Sequence, residues 1–173
     1  MPLNNTENRT IDLNALIEGL CEARVEFIVV GGIATVIHGA PITTMDLDIV
    51  HRQTDANIQK LLIYLKSVGA HYRRPDEKVI EPDEHILLAK GHSLLSTRFG
   101  PLDVLAIIEN GHGYDELIRD SVEIEFRGYK LQVLSLAKII EMKRNSKYSK
   151  DLQRLPIFEE TLREICKEDN NDA

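Results

Sequence analysis

The sequence predicts an α/β fold, with a mixed sheet flanked by helices and followed by a C-terminal helical tail. Three observations carry that expectation. Apolar runs of strand length recur between residues 27 and 133, segments of helical periodicity alternate with them, and after residue 135 only helical patterns remain. At 173 residues with 43% apolar side chains, the chain has the size of one domain with a core, covering 1–173 with the sheet over about 25–133 and the closing helices over about 135–168.

Residues 11–24 place Ile11, Leu13, Leu16, Ile17, Leu20 and Cys21 near one helical face. Phe27 to Val30 is an apolar strand that ends at Gly31 and Gly32, after which IATVIH reads as a short helix. A second apolar strand carries Asp46 and Asp48, and a helix over 54–68 opens at Thr54, a good N-cap residue. Residues 72–84, YRRPDEKVIEPDE, are charged and contain Pro75 and Pro82, which predicts an irregular excursion bordering the functional site. Strands are expected over 85–89 (HILLA), 94–99 and 102–108, the last two joined by a turn at Gly100-Pro101. A helix over 114–121 leads to a hairpin, 122–126 and 129–133, turning at Arg127-Gly128. Helices over 135–145 and 149–168 close the chain, and EDNNDA reads as a frayed acidic end.

The chemistry concentrates between residues 27 and 51. Side chains in a strand alternate faces, so Asp46 and Asp48 share one side while Leu47 and Ile49 take the other, with roughly 6 to 7 Å between the aspartate Cα atoms. Carboxylates so placed converge on hard cations, and Mg²⁺ selects oxygen ligands. The Gly31-Gly32 turn between strand and helix supplies free backbone N–H groups, a helix N-terminus and an open approach, which together suit a phosphate. Thr44 offers a hydroxyl to phosphate, although a β-branched residue leading into a strand has a structural reading as well. His38 stands at the end of the short helix, where it either joins the site or bonds a carbonyl.

The order strand, Gly-Gly, helix, Asp-x-Asp strand resembles the nucleotidyltransferase superfamily. GGIATVIHGAP followed by TTMDLDIV is most similar to small bacterial nucleotidyltransferase-like proteins of the abortive-infection (AbiEii) type, several of which are toxins of toxin-antitoxin pairs. The resemblance runs from about residue 27 to 155 and implies a polymerase beta-type catalytic sheet. It also implies a third carboxylate on a neighbouring strand, which LLSTRFGPLDVLAII supplies as Asp103. On this resemblance Asp46, Asp48 and Asp103 are the metal ligands and catalytic residues for two Mg²⁺ ions, or Mn²⁺, with Asp103 the general base. Gly31, Gly32 and Thr44 then bind the nucleoside triphosphate. Lys143 and Lys150, in the segment that matches the relatives' helices, either contact nucleotide or lie on a solvated face. The implied activity is transfer of a nucleoside monophosphate to a hydroxyl of an RNA end, a protein or a small molecule, with a cognate antitoxin as a further partner. One departure stands out: Ile42 occupies a place where many relatives have arginine.

Charge and composition exclude other classes. A net charge of -7 argues against broad coating of nucleic acid, while residues 135–150 are locally basic, with Lys138, Lys143, Arg144, Lys147 and Lys150 against Glu141. The apolar runs fall short of a membrane span and MPLNNTENRT lacks signal-peptide character, so no membrane partner and a cytoplasmic location are expected. Cys21 and Cys166 have no metal-ligand spacing and read as reduced packing residues, and His51, His71, His85, His92 and His112 show no metal spacing either. Two alternatives remain: an inactive partner that keeps the fold, with Ile42 as its sign, and a phosphohydrolase or phosphotransferase using the same carboxylates.

Overall fold

The computed structural model describes residues 10–76 and 78–171. Its elements in chain order are α1 (Leu13–Glu22), β1 (Phe27–Val30), α2 (Gly31–Ile37), β2 (Leu47–His51), α3 (Asp55–Ser67) and β3 (His71–Tyr72). After these come α4 (Glu84–Leu88), β4 (His92–Thr97), β5 (Gly100–Leu105), α5 (Tyr114–Leu117), β6 (Ser121–Phe126), β7 (Tyr129–Leu134), α6 (Leu136–Arg144) and α7 (Ser149–Asn171). The strands form one mixed sheet in the order β3-β4-β5-β2-β1-β7-β6. β2 runs antiparallel to β1 and parallel to β5, while β1 runs parallel to β7. The α/β class with flanking helices and a helical tail is therefore the fold observed.

Burial explains why the middle strands are apolar throughout. All four residues of β1 are buried, as a strand covered on both faces requires. Helix starts follow local chemistry: Asp12 accepts from the Ala15 N–H at the head of α1, and Thr54 accepts from the Asn57 N–H at the head of α3. Buried Asn57 then ties α3 to the sheet, because its amide donates to the Glu26 and Arg52 carbonyls and accepts from the Glu26 N–H. The β6–β7 hairpin turns where expected, with positive φ at both Arg127 (49°) and Gly128 (85°), the pairing a two-residue primed turn needs.

The structure corrects several boundaries. HILLA forms helix α4, not a strand: Asp83 caps it by accepting from the Ile86 N–H, and Leu87 alone enters the core while Ile86 and Leu88 stay exposed. A short apolar run is ambiguous between helix and strand, and here a cap decided it. The β4–β5 turn lies at Arg98-Phe99, one pair earlier than expected, because Thr97 pairs with Gly100 and puts Gly100 and Pro101 inside β5. The helix expected over 114–121 is one α turn followed by a 3₁₀ turn. Helix α2 starts at Gly31 itself, Asp46 lies just before β2, and α7 continues through Asn171 instead of fraying at Glu168. Cys166 is exposed on α7, so only half-buried Cys21 is a packing cysteine.

One large core fills the space between sheet and helices, and a smaller one holds the tail. In the second, Ala40, Leu136, Ile140 and Phe158 are buried, with Ile42, Leu155, Leu162 and Ile165 packed against them. This cluster clamps α7 to α6 and to the segment after α2. Truncating its aromatic member, Phe158→Ala, should cost about 3 kcal/mol in urea unfolding and deprotect α7 amides before those of the sheet in hydrogen exchange.

Candidate metal and nucleotide site

Register brings the acidic residues together. Asp48 of β2 is the direct partner of Asp103 of β5, so both side chains leave the sheet on one face, while Leu47 and Ile49 are fully buried on the other. Asp46, just outside β2, completes the group: each of the three residues offers an oxygen, and these atoms lie within 4.8 Å of one another. The same transverse row extends both ways. Val30 pairs with Asp48, Leu94 pairs with Asp103, and the Arg73 N–H donates to the Leu94 carbonyl (2.9 Å) in continuation of the β3–β4 register. At the end of that row the Arg73 guanidinium reaches over β4 and donates to Asp103 Oδ1.

Both glycines are required by close approach. Gly31 has φ +65° and its backbone lies against Asp48, whose Cγ would stand 2.9 Å from any added Cβ. Gly32 faces Thr44, whose Oγ1 would stand 2.6 Å from a Cβ. Thr44 Oγ1 in turn lies 3.4 Å from Asp46 Oδ1, a long hydrogen bond at best. The glycine turn is thus packed directly on the carboxylate cluster, and no side chain caps α2.

The electrostatics fit a cation. Burial is the largest cause of an Asp48 carboxyl pushed up to about 7, and repulsion from Asp46 and Asp103 adds to it. Burial also pushes Asp103 upward, against the pull of the Arg73 guanidinium. The Arg73 charge opposes the rise at both residues. Three hard oxygen donors whose mutual repulsion a divalent ion would relieve are a donor set suited to Mg²⁺ or Mn²⁺.

Lys143 and Lys150 separate. Lys143 lines the same cavity of ≈230 Å³ as Asp48 and Gly31, among Leu105, Leu134 and Met142, and is held there by Asp151 (3.0 Å) and Glu109 (3.8 Å). Lys150 is exposed at the start of α7, and no hydrogen bond or ion pair ties it to the carboxylates. The basic stretch is largely neutralised in place, because Lys138 pairs with Asp120 and Glu141, and Arg144 with Glu159. His38 bonds the Leu134 carbonyl (2.9 Å), the structural alternative read for it. Arg73 and Glu109 carried no site expectation of their own; the run YRRP in a segment expected to border the site was the available signal for Arg73.

Taken together, this is the nucleotidyltransferase fold. Solved structures similar to the chain include the lincosamide antibiotic adenylyltransferase LnuA with lincomycin bound, at 14% identity and TM-score 0.56 over 89% of this chain and 96% of that one. ANT(2″)-Ia in complex with adenylyl-2″-tobramycin is similar at 12% identity and TM-score 0.53, over 86% of this chain and 88% of that one. An antigenic nucleotidyltransferase-like protein from Paracoccidioides brasiliensis matches at 16% identity and TM-score 0.52, over 84% and 72%. At such identities the likeness is one of fold. No protein-family model and no curated protein sequence matches the chain.

Two outcomes follow from this geometry. Between pH 3.8 and about 7 the folded protein keeps a proton on Asp48 that the unfolded chain has lost, so this contribution to stability is full at acid pH and declines as pH rises toward 7. In urea titrations with chelator, Asp48→Asn should gain stability relative to wild type across that range, and Mg²⁺ should restore the wild type alone. Gly31→Ala, which must hold an alanine at positive φ against Asp48, should lose at least about 1–2 kcal/mol by the same measurement.

Proposed function

We propose that this chain is a metal-dependent nucleotidyltransferase that moves a nucleoside monophosphate group from a nucleoside triphosphate to a hydroxyl acceptor. The observation that carries this reading is the convergence of Asp46, Asp48 and Asp103 on one face of the sheet, beside the Gly31-Gly32 turn. Asp46, Asp48 and Asp103 would hold one or two Mg²⁺ or Mn²⁺ ions, which when bound neutralise phosphate charge and lower the pKa of an acceptor hydroxyl. Gly31 and Gly32 leave the approach to the carboxylates free of side-chain atoms for the triphosphate, and Thr44 offers it a hydroxyl. Asp103 takes the proton as the acceptor oxygen attacks the α-phosphorus and the bond to the bridging oxygen breaks, releasing pyrophosphate.

Lys143, which shares a cavity with Asp48, would meet the nucleotide or the acceptor, whereas Lys150 has only the resemblance behind such a role. LnuA and ANT(2″)-Ia, bound to an antibiotic and to an adenylylated one, favour a small hydroxylated acceptor over an RNA end or a protein, by analogy of fold. Membership of the AbiEii type, a toxin-antitoxin or abortive-infection setting, and a cognate antitoxin are supported by the residues 27–51 alone. Ile42 packs against the small apolar cluster of Ala40, Leu136, Ile140 and Phe158. A cytoplasmic site of action is part of the proposal, and no described helix is long and apolar enough to cross a membrane.

The bond broken separates this reading from its rivals. With Mg²⁺, α-labelled triphosphates and a panel of hydroxylated compounds and cell-extract fractions, label should pass to an acceptor, and Asp103→Ala should suppress turnover by roughly 10² to 10⁴ while keeping much of the triphosphate affinity. Transfer of γ-label instead would make the protein a phosphotransferase. Full α-transfer by Asp103→Ala would remove the assigned base.

A further inference from the structure

Arg73 and Arg74 are neighbours in sequence with opposite fates. Arg74 is turned outward and pairs with Asp76 (2.7 Å), a local exposed pair of little consequence. Arg73 turns inward onto Asp103, the most buried of the three carboxylates at 7% exposure. The backbone beneath it is pinned: the Tyr72 N–H donates to the Ile80 carbonyl, the Tyr72 hydroxyl shares a hydrogen bond with Ser93, and the Arg73 N–H donates to Leu94. The side chain itself is about one-third exposed (32%), and Leu94, which lies between it and Asp103 in the row, is also open to solvent. A fixed backbone with a partly free guanidinium lets the charge leave Asp103 without any strand moving.

We propose that Arg73 is the resident cation of the carboxylate cluster, occupying Asp103 until divalent ions displace it. The proposal rests on the metal-site reading above. Three carboxylates within 4.8 Å cannot all stay charged without positive charge nearby, and among the described residues Arg73 is the cationic side chain in contact with them. A guanidinium and a divalent ion drawing on one carboxylate repel each other and compete for its lone pairs. Arg73 thus offsets the carboxylates' charge and sets a threshold for divalent binding, and it acts on the site through Asp103 as a positioning residue.

Mn²⁺ binding to the full chain, followed by calorimetry with no nucleotide present, reads this directly. Arg73→Gln should bind Mn²⁺ roughly ten-fold more tightly than wild type, the scale of one lost charge-assisted competitor, while Arg73→Lys should stay near wild type. A second measurement needs no variant: in the wild type, modification of Arg73 by an arginine-directed dicarbonyl, mapped by peptide mass, should accelerate when Mn²⁺ is added. Equal or weaker Mn²⁺ binding by Arg73→Gln, or an Arg73 no more reactive with the ion than without it, overturns the competition and leaves the metal site standing. Failure of wild type and Arg73→Gln alike to bind Mn²⁺ would instead remove the metal site, and this proposal with it.

Discussion

Like charges forced together by strand register are the constraint on which the rest of this molecule turns. Asp48 and Asp103 face each other because β2 and β5 pair in parallel, and Asp46 is drawn in from just outside β2. Everything adjacent is adjusted to that crowding. The turn after β1 is glycine twice, since a β-carbon would strike Asp48 at the first and Thr44 at the second. Arg73 crosses β4 and sets its positive charge on Asp103. Repulsion of this kind is what a bound cation would relieve.

The helical tail belongs to the same construction. Helix α6 brings Ile139, Met142 and Lys143 over the Asp48 face, and Lys143 is held by Asp151 of α7. Helix α7 is in turn fastened by Phe158 and its neighbours, among which Ile42 comes from the stretch just before the Asp-x-Asp strand. A position that reads in sequence as a missing arginine thus packs against a small apolar cluster shared by α6 and α7. Charge in the cavity beside Asp48 comes from the Lys143–Glu109 pair.

Legibility in the sequence followed the range of the interactions. The shared face of Asp46 and Asp48 is a local periodicity, and the Gly-Gly turn is local chemistry, so both could be read from residues 27–51. Asp103 came through family resemblance, because which strand neighbours which is a non-local matter that alternation does not contain. Segment 85–89 reads as a strand but folds as helix for a physical reason: a run of four apolar residues fits either period, and the deciding hydrogen bond from the Ile86 N–H to Asp83 lies at its edge. Lys143 and Lys150 both enter through the resemblance, but Lys143 lines the cavity with Asp48 while Lys150 is exposed at the start of α7. Arg73 lay in a run of charges where nothing local marks which arginine turns inward.

The row from Arg73 through Leu94, Asp103 and Asp48 to Val30 has a further consequence, for how the sheet assembles. Side chains in a strand alternate, so a slip of one residue between β2 and β5 would carry an aspartate off the face of the cluster and into the layer occupied by Leu47 and Ile49. An unpaired carboxylate there would cost several kcal/mol, comparable to the whole stability margin of a domain this size. Misaligned intermediates of the two central strands are therefore too unfavourable to persist. The acidic residues of the cluster thus also favour the native register of its β-pairing.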